Sequence, residues 1–101
     1  MKKPMTTKQL LQKAKRILLK DGWCRFYLED SHGRHCLHGA LKKAEHGRCS
    51  YGDMTSRDAL LVIEQCITKS PFAGDAMYFN DLVARDRRTI IRVLDKAIAN
   101  A

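Results

Sequence analysis

Residues 22–40, GWCRFYLEDSHGRHCLHGA, constrain this chain most, because they interrupt helical spacing in a sequence that is otherwise patterned for helices. The stretch holds the single Trp, two of the four Cys and three of the four His. One basic helix precedes it, and helices joined by short turns follow it. Trp23, Phe26 and Tyr27 suit a half-buried pleated surface, and Asp30-Ser31-His32-Gly33 is dense in turn formers. This composition predicts a β-hairpin looping over residues 30–33, with residues 34–38 as its second strand. In that register Glu29 faces Arg34, Leu28 faces His35 and Phe26 faces Leu37. Cys24, Phe26, Leu28 and Leu37 then share the core face, while Tyr27, Cys36 and His38 share the other. A turn centred on His32-Gly33 would shift the pairing.

The first helix opens at Thr6, with Gln9 at capping-box spacing, and stops at Asp21-Gly22. Leu10, Ala14, Ile17 and Leu18, joined by Leu11, form its apolar stripe. Lys8, Lys13, Arg16 and Lys20 lie on the opposite face. A second short helix starts at residues 39–41 and ends at His46-Gly47, with Gly39 and Ala40 small enough for close packing. A polar loop over residues 48–54 leads to a third helix capped by Thr55 or Ser56. Its apolar set of Ala59, Leu60, Val62, Ile63, Cys66 and Ile67 predicts the most buried helix. Ser70-Pro71 breaks that helix, and residues 72–75 form a loop. Met77, Tyr78 and Phe79 form a short apolar anchor before a cap or turn at Asn80-Asp81. The last helix is capped by Asp86, turns Ile90, Ile91, Val93, Leu94, Ala97 and Ile98 inward, and carries Arg85, Arg87, Arg88, Arg92 and Lys96 outside.

These elements predict an α+β fold: one compact domain over residues 6–101, about four helices on a small hairpin, preceded by a flexible basic tail over residues 1–5. With 45% apolar and 30% charged residues, the chain has the balance of a soluble folded domain. Its longest apolar run, residues 59–63, is far too short to span a bilayer, and no secretory leader is visible. A cytoplasmic setting with four free thiols follows.

The net charge of +8 is unevenly placed. Residues 1–20 contain seven basic and no acidic side chains, whereas residues 51–101 carry seven of each sign. Such a local excess attracts an anionic partner, either an acidic protein surface or nucleic acid. Lys8, Lys13, Arg16 and Lys20 are the expected contacts, joined by Arg88 and Arg92 if the terminal helices lie side by side. For nucleic acid, Tyr27 or Tyr51 could stack, but no helix-turn-helix or RNA-recognition pattern is present. A membrane surface fits poorly, because the first helix turns its apolar stripe to the core.

Gly22-Trp23, Gly33, Cys36-Leu37, Gly39-Ala40-Leu41, Ala44 and the aromatic-Asn80-Asp81 sequence together resemble a family of small bacterial and phage proteins of unknown function. The likeness runs over roughly residues 8–98, with Phe79 where a Trp accompanies the Asn-Asp pair in that family. The resemblance implies one compact domain and a phage or prophage setting. It supplies no catalytic residues, and it points to proteins that act by binding a host protein.

The sharpest chemical alternative is a zinc site. Cys36-x-His38 and His46-x-x-Cys49 place four soft or borderline ligands within fourteen residues, and His32 and His35 add to them. The spacing matches no common zinc knuckle or ribbon. His35-Cys36 offers a thiol beside an imidazole, but neighbours on a strand point to opposite faces. No nucleophile elbow, phosphate loop or HExxH is present, and the carboxylates are scattered singly. The expectation is therefore a binding protein, not an enzyme, with no cofactor.

Overall fold

The structure, a computed structural model, describes residues 5–67 and 75–101. The break at Ser70-Pro71, most of the loop before Asp75 and most of the basic tail lie outside the described residues. Within them the chain is helical: α1 (Thr7–Asp21), α2 (Leu37–His46), α3 (Arg57–Gln65), α4 (Ala76–Tyr78) running into a π-helical turn (Phe79–Val83), and α5 (Arg87–Asn100).

Local chemistry explains the boundaries. Thr6 and Gln9 close a reciprocal capping box, with Thr6 Oγ1 accepting from Gln9 N at 3.1 Å and Gln9 Oε1 from Thr6 N at 3.0 Å. Of the two candidates Thr55 and Ser56, Ser56 caps α3 by accepting from Ala59 N, and Asp86 caps α5 as predicted by accepting from Thr89 N. Helix α2 begins two residues earlier than expected, because the Cys36 sulfur accepts from Gly39 N at 3.3 Å and serves as the cap. Gly47, left-handed at φ 78°, ends it.

The hairpin does not form, and the α+β expectation is corrected to all-helical among the described residues. The turn lies where it was placed. Asp30 Oδ1 accepts from His32 N and Arg34 N at 3.0 and 2.9 Å, and Asp30 N donates to Arg34 O at 2.9 Å. The flanks, however, run parallel. Cys24 N donates to His35 O at 2.9 Å and His35 N to Gly22 O at 3.1 Å, so residues 22–36 make an Ω-shaped loop with one bridge, Trp23 to His35. An isolated two-stranded hairpin is marginal in water, and here its backbone groups are captured by side chains far along the chain. Phe26 takes a left-handed φ of 73° and turns outward, 61% exposed, instead of joining the core face. Cys36, expected on the outer face, is buried.

Leu11, Leu18, Leu37, Leu41, Ile63, Ile90 and Leu94 form the centre of the core. Helix α1 packs against α2, α3 and α5. Helix α2, not α3, is the most buried. It is covered by α1 on one side and by the loop and α4 on the other, whereas α3 buries only Ala59 and Ile63 fully. The close approach expected at Gly39 is present, but its neighbour is the backbone of Leu28 in the loop rather than a strand. A methyl group there would lie 1.9 Å from Leu28 O.

Candidate functional site

The loop is held by a polar node built from Asn80 and Asp81 in the π-helical turn. Asn80 is 1% exposed and has both ends of its amide occupied. Its Oδ1 accepts from Trp23 Nε1 at 2.7 Å and Leu37 N at 3.0 Å, and its Nδ2 donates to Cys24 O at 3.2 Å and Asp81 Oδ1 at 2.9 Å. Asp81 Oδ1 also accepts from Phe26 N at 2.9 Å. The extra residue of a π turn re-aims side chains, and here it points two adjacent ones at the same loop. This node fixes the loop against α2.

On the other side of the loop lies a cluster centred on His35, which is fully buried. Its Nε2 is 2.9 Å from Asp21 Oδ2, at the end of α1, and Lys43 Nζ reaches the same oxygen at 2.8 Å. Hydrogen bonds from Lys43 and then His35 hold the Asp21 carboxyl below its usual range. That carboxylate has no proton to give, so the proton it shares with His35 is carried on Nε2. The other ring nitrogen, Nδ1, faces Leu28 O at 3.2 Å, Cys49 Sγ at 3.3 Å and Glu29 Oε1 at 3.8 Å. Burial, and then the Glu29 carboxylate, push the Cys49 thiol up. The order Cys49–His35–Asp21 has the connectivity of a nucleophile, base and orienting acid. A thiol held in its protonated form is, however, the reverse of an activated one.

The zinc alternative divides differently from its sequence spacing. Cys36 caps α2, and burial raises its thiol. His38 is half-buried, and burial followed by Lys42 lowers its imidazole. His46 Nε2 lies 2.7 Å from Met54 O. Of the four, Cys49 alone joins the set of ligand atoms that converges among the described residues, and its companions there are Glu29 and His35. Sequence spacing could not reveal this, because the loop fold brings together residues 6 and 14 positions apart. All four cysteines are free thiols, as expected.

The basic residues separate into two patches. Lys8, Lys13, Arg16 and Lys20 are exposed on α1 and make no hydrogen bond or ion pair among the described residues, whereas Lys15 pairs with Asp95 at 2.6 Å. Lys13, Arg16 and Lys20 border a shallow depression of about 360 Å³ with Ile17, Asp21 and Lys43. The terminal helices do pack together, with Arg87 Nη1 donating to Leu19 O at 3.3 Å. Arg88 and Arg92 lie across that seam beside Leu19 and Ile91, where they help hold the Asp86 carboxyl below its usual range after its bonds to Thr89. Tyr27 and Tyr51 are both exposed.

Fold and site together define a small helical domain whose irregular loop is clamped between a polar node and a histidine cluster. The chain belongs to the family described as "Family of unknown function (DUF6197)", whose model matches residues 2–100. No curated protein and no solved structure matches it. Among the described residues, no helix is long and apolar enough to cross a membrane.

Proposed function

We propose that this chain is a small, basic, non-enzymatic binding protein whose α1 face docks on an acidic protein surface. Lys13, Arg16 and Lys20 make the central contact, Lys8 extends it, and Arg88 and Arg92 provide a flanking patch on α5. One observation carries the reading. The three central cations share one exposed face with no carboxylate partner among the described residues, while their neighbours Lys15 and Lys43 are paired with Asp95 and Asp21. The depression they border has Ile17 in its lining and Asp21 at its edge. An apolar patch with a mixed charged rim suits a protein surface better than a phosphate backbone. A phage or prophage origin and action in the cytoplasm belong to the same reading, the origin resting on the family resemblance.

The test is capture from host extract by the parent chain and by a Lys13→Glu, Arg16→Glu, Lys20→Glu variant, after nuclease treatment. Exposed substitutions each change stability by about 0.5 kcal/mol or less, so the variant stays folded. The expected result is a captured protein that the variant loses. Retained capture removes the proposal. Capture abolished by nuclease, with a shift of random DNA or RNA that weakens steeply with salt, replaces it with nucleic-acid binding.

A further inference from the structure

Three side chains of different chemistry meet beside the loop: the carboxylate of Glu29, the imidazole of His35 and the thiol of Cys49. Their ligand atoms all lie within 4.8 Å of one another. We infer that Glu29 Oε1, His35 Nδ1 and Cys49 Sγ form a zinc-binding site, with Asp21 as its positioning residue.

The two distances from His35 Nδ1 lie near those of a tetrahedral ion. Metal–ligand lengths of about 2.0–2.3 Å at tetrahedral angles put a nitrogen and a sulfur roughly 3.5 Å apart, and a nitrogen and an oxygen roughly 3.4 Å apart. Here Nδ1 is 3.3 Å from the sulfur and 3.8 Å from the oxygen. Glu29 is the exposed member and can close the remaining gap by side-chain rotation.

The ring is also prepared behind the ligands. A metal-bound histidine characteristically donates its other N–H to a carboxylate, which fixes the tautomer and the ring plane. His35 Nε2 has such a partner in Asp21 Oδ2 at 2.9 Å, which Lys43 anchors in turn. Nδ1 faces the Leu28 carbonyl oxygen at 3.2 Å, the Glu29 carboxylate and the Cys49 sulfur, and an ion bound there takes the place of the proton that Nδ1 would otherwise share with them. The Cys49 thiol also donates to Gly39 O at 3.2 Å, so an ion binding here displaces the thiol proton and takes the sulfur as thiolate. One nitrogen, one sulfur and carboxylate oxygen select zinc over calcium or magnesium, which prefer oxygen alone. Three protein ligands leave a fourth position for water or for the Leu28 carbonyl oxygen. The competing occupant is a proton on Nδ1. The site shares none of the three docking cations of α1, so the two proposals fail independently.

The experiment strips the full chain with chelator under reducing conditions, then titrates it with Co²⁺ as a spectroscopic stand-in and with Zn²⁺ in competition. The expected result is one ion per chain, tetrahedral ligand-field bands and a thiolate-to-cobalt charge-transfer band. Cys49→Ser abolishes the charge-transfer band, and Glu29→Gln weakens Zn²⁺ at least tenfold. Asp21→Asn keeps the band but lowers affinity about 10–100-fold, the usual range for an outer-shell carboxylate. Glu29 is on the surface, so its variant stays folded even if that of a buried residue does not. Absence of a one-to-one cobalt spectrum, or a spectrum unchanged in both Cys49→Ser and Glu29→Gln, overturns the site and leaves a proton on His35 as the occupant.

Discussion

Replacement of Asn80 by alanine removes the partner of three groups at once: the Leu37 N–H, the Cys24 carbonyl and the Trp23 indole N–H. Each buried group left without a partner costs about 1–3 kcal/mol. Trp23 is only half-buried and can recover its bond from water, so Leu37 N and Cys24 O dominate. The sum is about 3–5 kcal/mol, against a total of roughly 5–15 kcal/mol for a domain of this kind. Urea unfolding followed in parallel by far-UV circular dichroism and by fluorescence of the single tryptophan measures it directly, because Trp23 is itself a member of the node. Asn80→Asp is the informative companion. It keeps the shape and the accepting oxygen but turns a second oxygen toward Cys24 O and Asp81 Oδ1, now 3.2 and 2.9 Å from an amide nitrogen. That variant loses about 2–4 kcal/mol at pH 7. Burial and Asp81 raise the new carboxyl, so its protonated form is the stabilised one and stability returns as pH falls through its raised value. An Asn80→Ala chain within about 1 kcal/mol of the parent, or an Asn80→Asp chain indifferent to pH, refutes the assignment of Asn80 as the clamp.

Two further outcomes follow from the same packing. Gly39→Ala sets a methyl 1.9 Å from Leu28 O, a backbone atom that cannot rotate away, and lowers the urea midpoint by the equivalent of about 2–3 kcal/mol, whereas Gly52→Ala, with nothing nearer than 3.6 Å, has little effect. Lys43 and His35 hold Asp21 below its ordinary carboxyl range, so Asp21 contributes stability that is present above about pH 4 and lost as pH falls through its depressed value. The melting temperature of Asp21→Asn therefore lies below that of the parent at pH 6 and converges with it toward pH 2, and a gap that stays constant counts against the carboxylate bridge.

The helices were legible because their signals are local. A capping residue and a 3.6-residue stripe lie within one turn or two of the bonds they make. Thr6 with Gln9, Ser56 and Asp86 accordingly cap α1, α3 and α5, and the α1 stripe is buried at Leu10, Leu11, Ala14 and Leu18 but only partly at Ile17. The turn at Asp30–Gly33 was legible for the same reason. What the chain does on either side of that turn was not. Whether residues 23–28 pair antiparallel with residues 34–38 depends on which partners reach their backbone first. Those partners are Asn80, which donates to Cys24 O, and Asp81, which accepts from Phe26 N, each more than fifty residues away in sequence.

The candidate site divides along the same line. That α1 carries an outward row of cations is written in its periodicity, since an apolar stripe that must be buried leaves the opposite face in water. That Lys15 is paired with Asp95 while Lys13, Arg16 and Lys20 have no partner among the described residues is decided by where α5 packs. The meeting of Glu29, His35 and Cys49 is wholly tertiary. No spacing rule relates these three positions, and they converge because Gly39 lets the loop lie against α2 while Gly47 turns the chain back toward it. Sequence alone therefore determined α1, α2, α3 and α5 and the charged face of α1, which arise from contacts a few residues apart. It did not determine the helical turn over residues 76–83, read as an apolar anchor and a cap or turn. The path of the loop and the chemistry it assembles were left to long-range hydrogen bonds and close backbone approach, which only the folded chain contains.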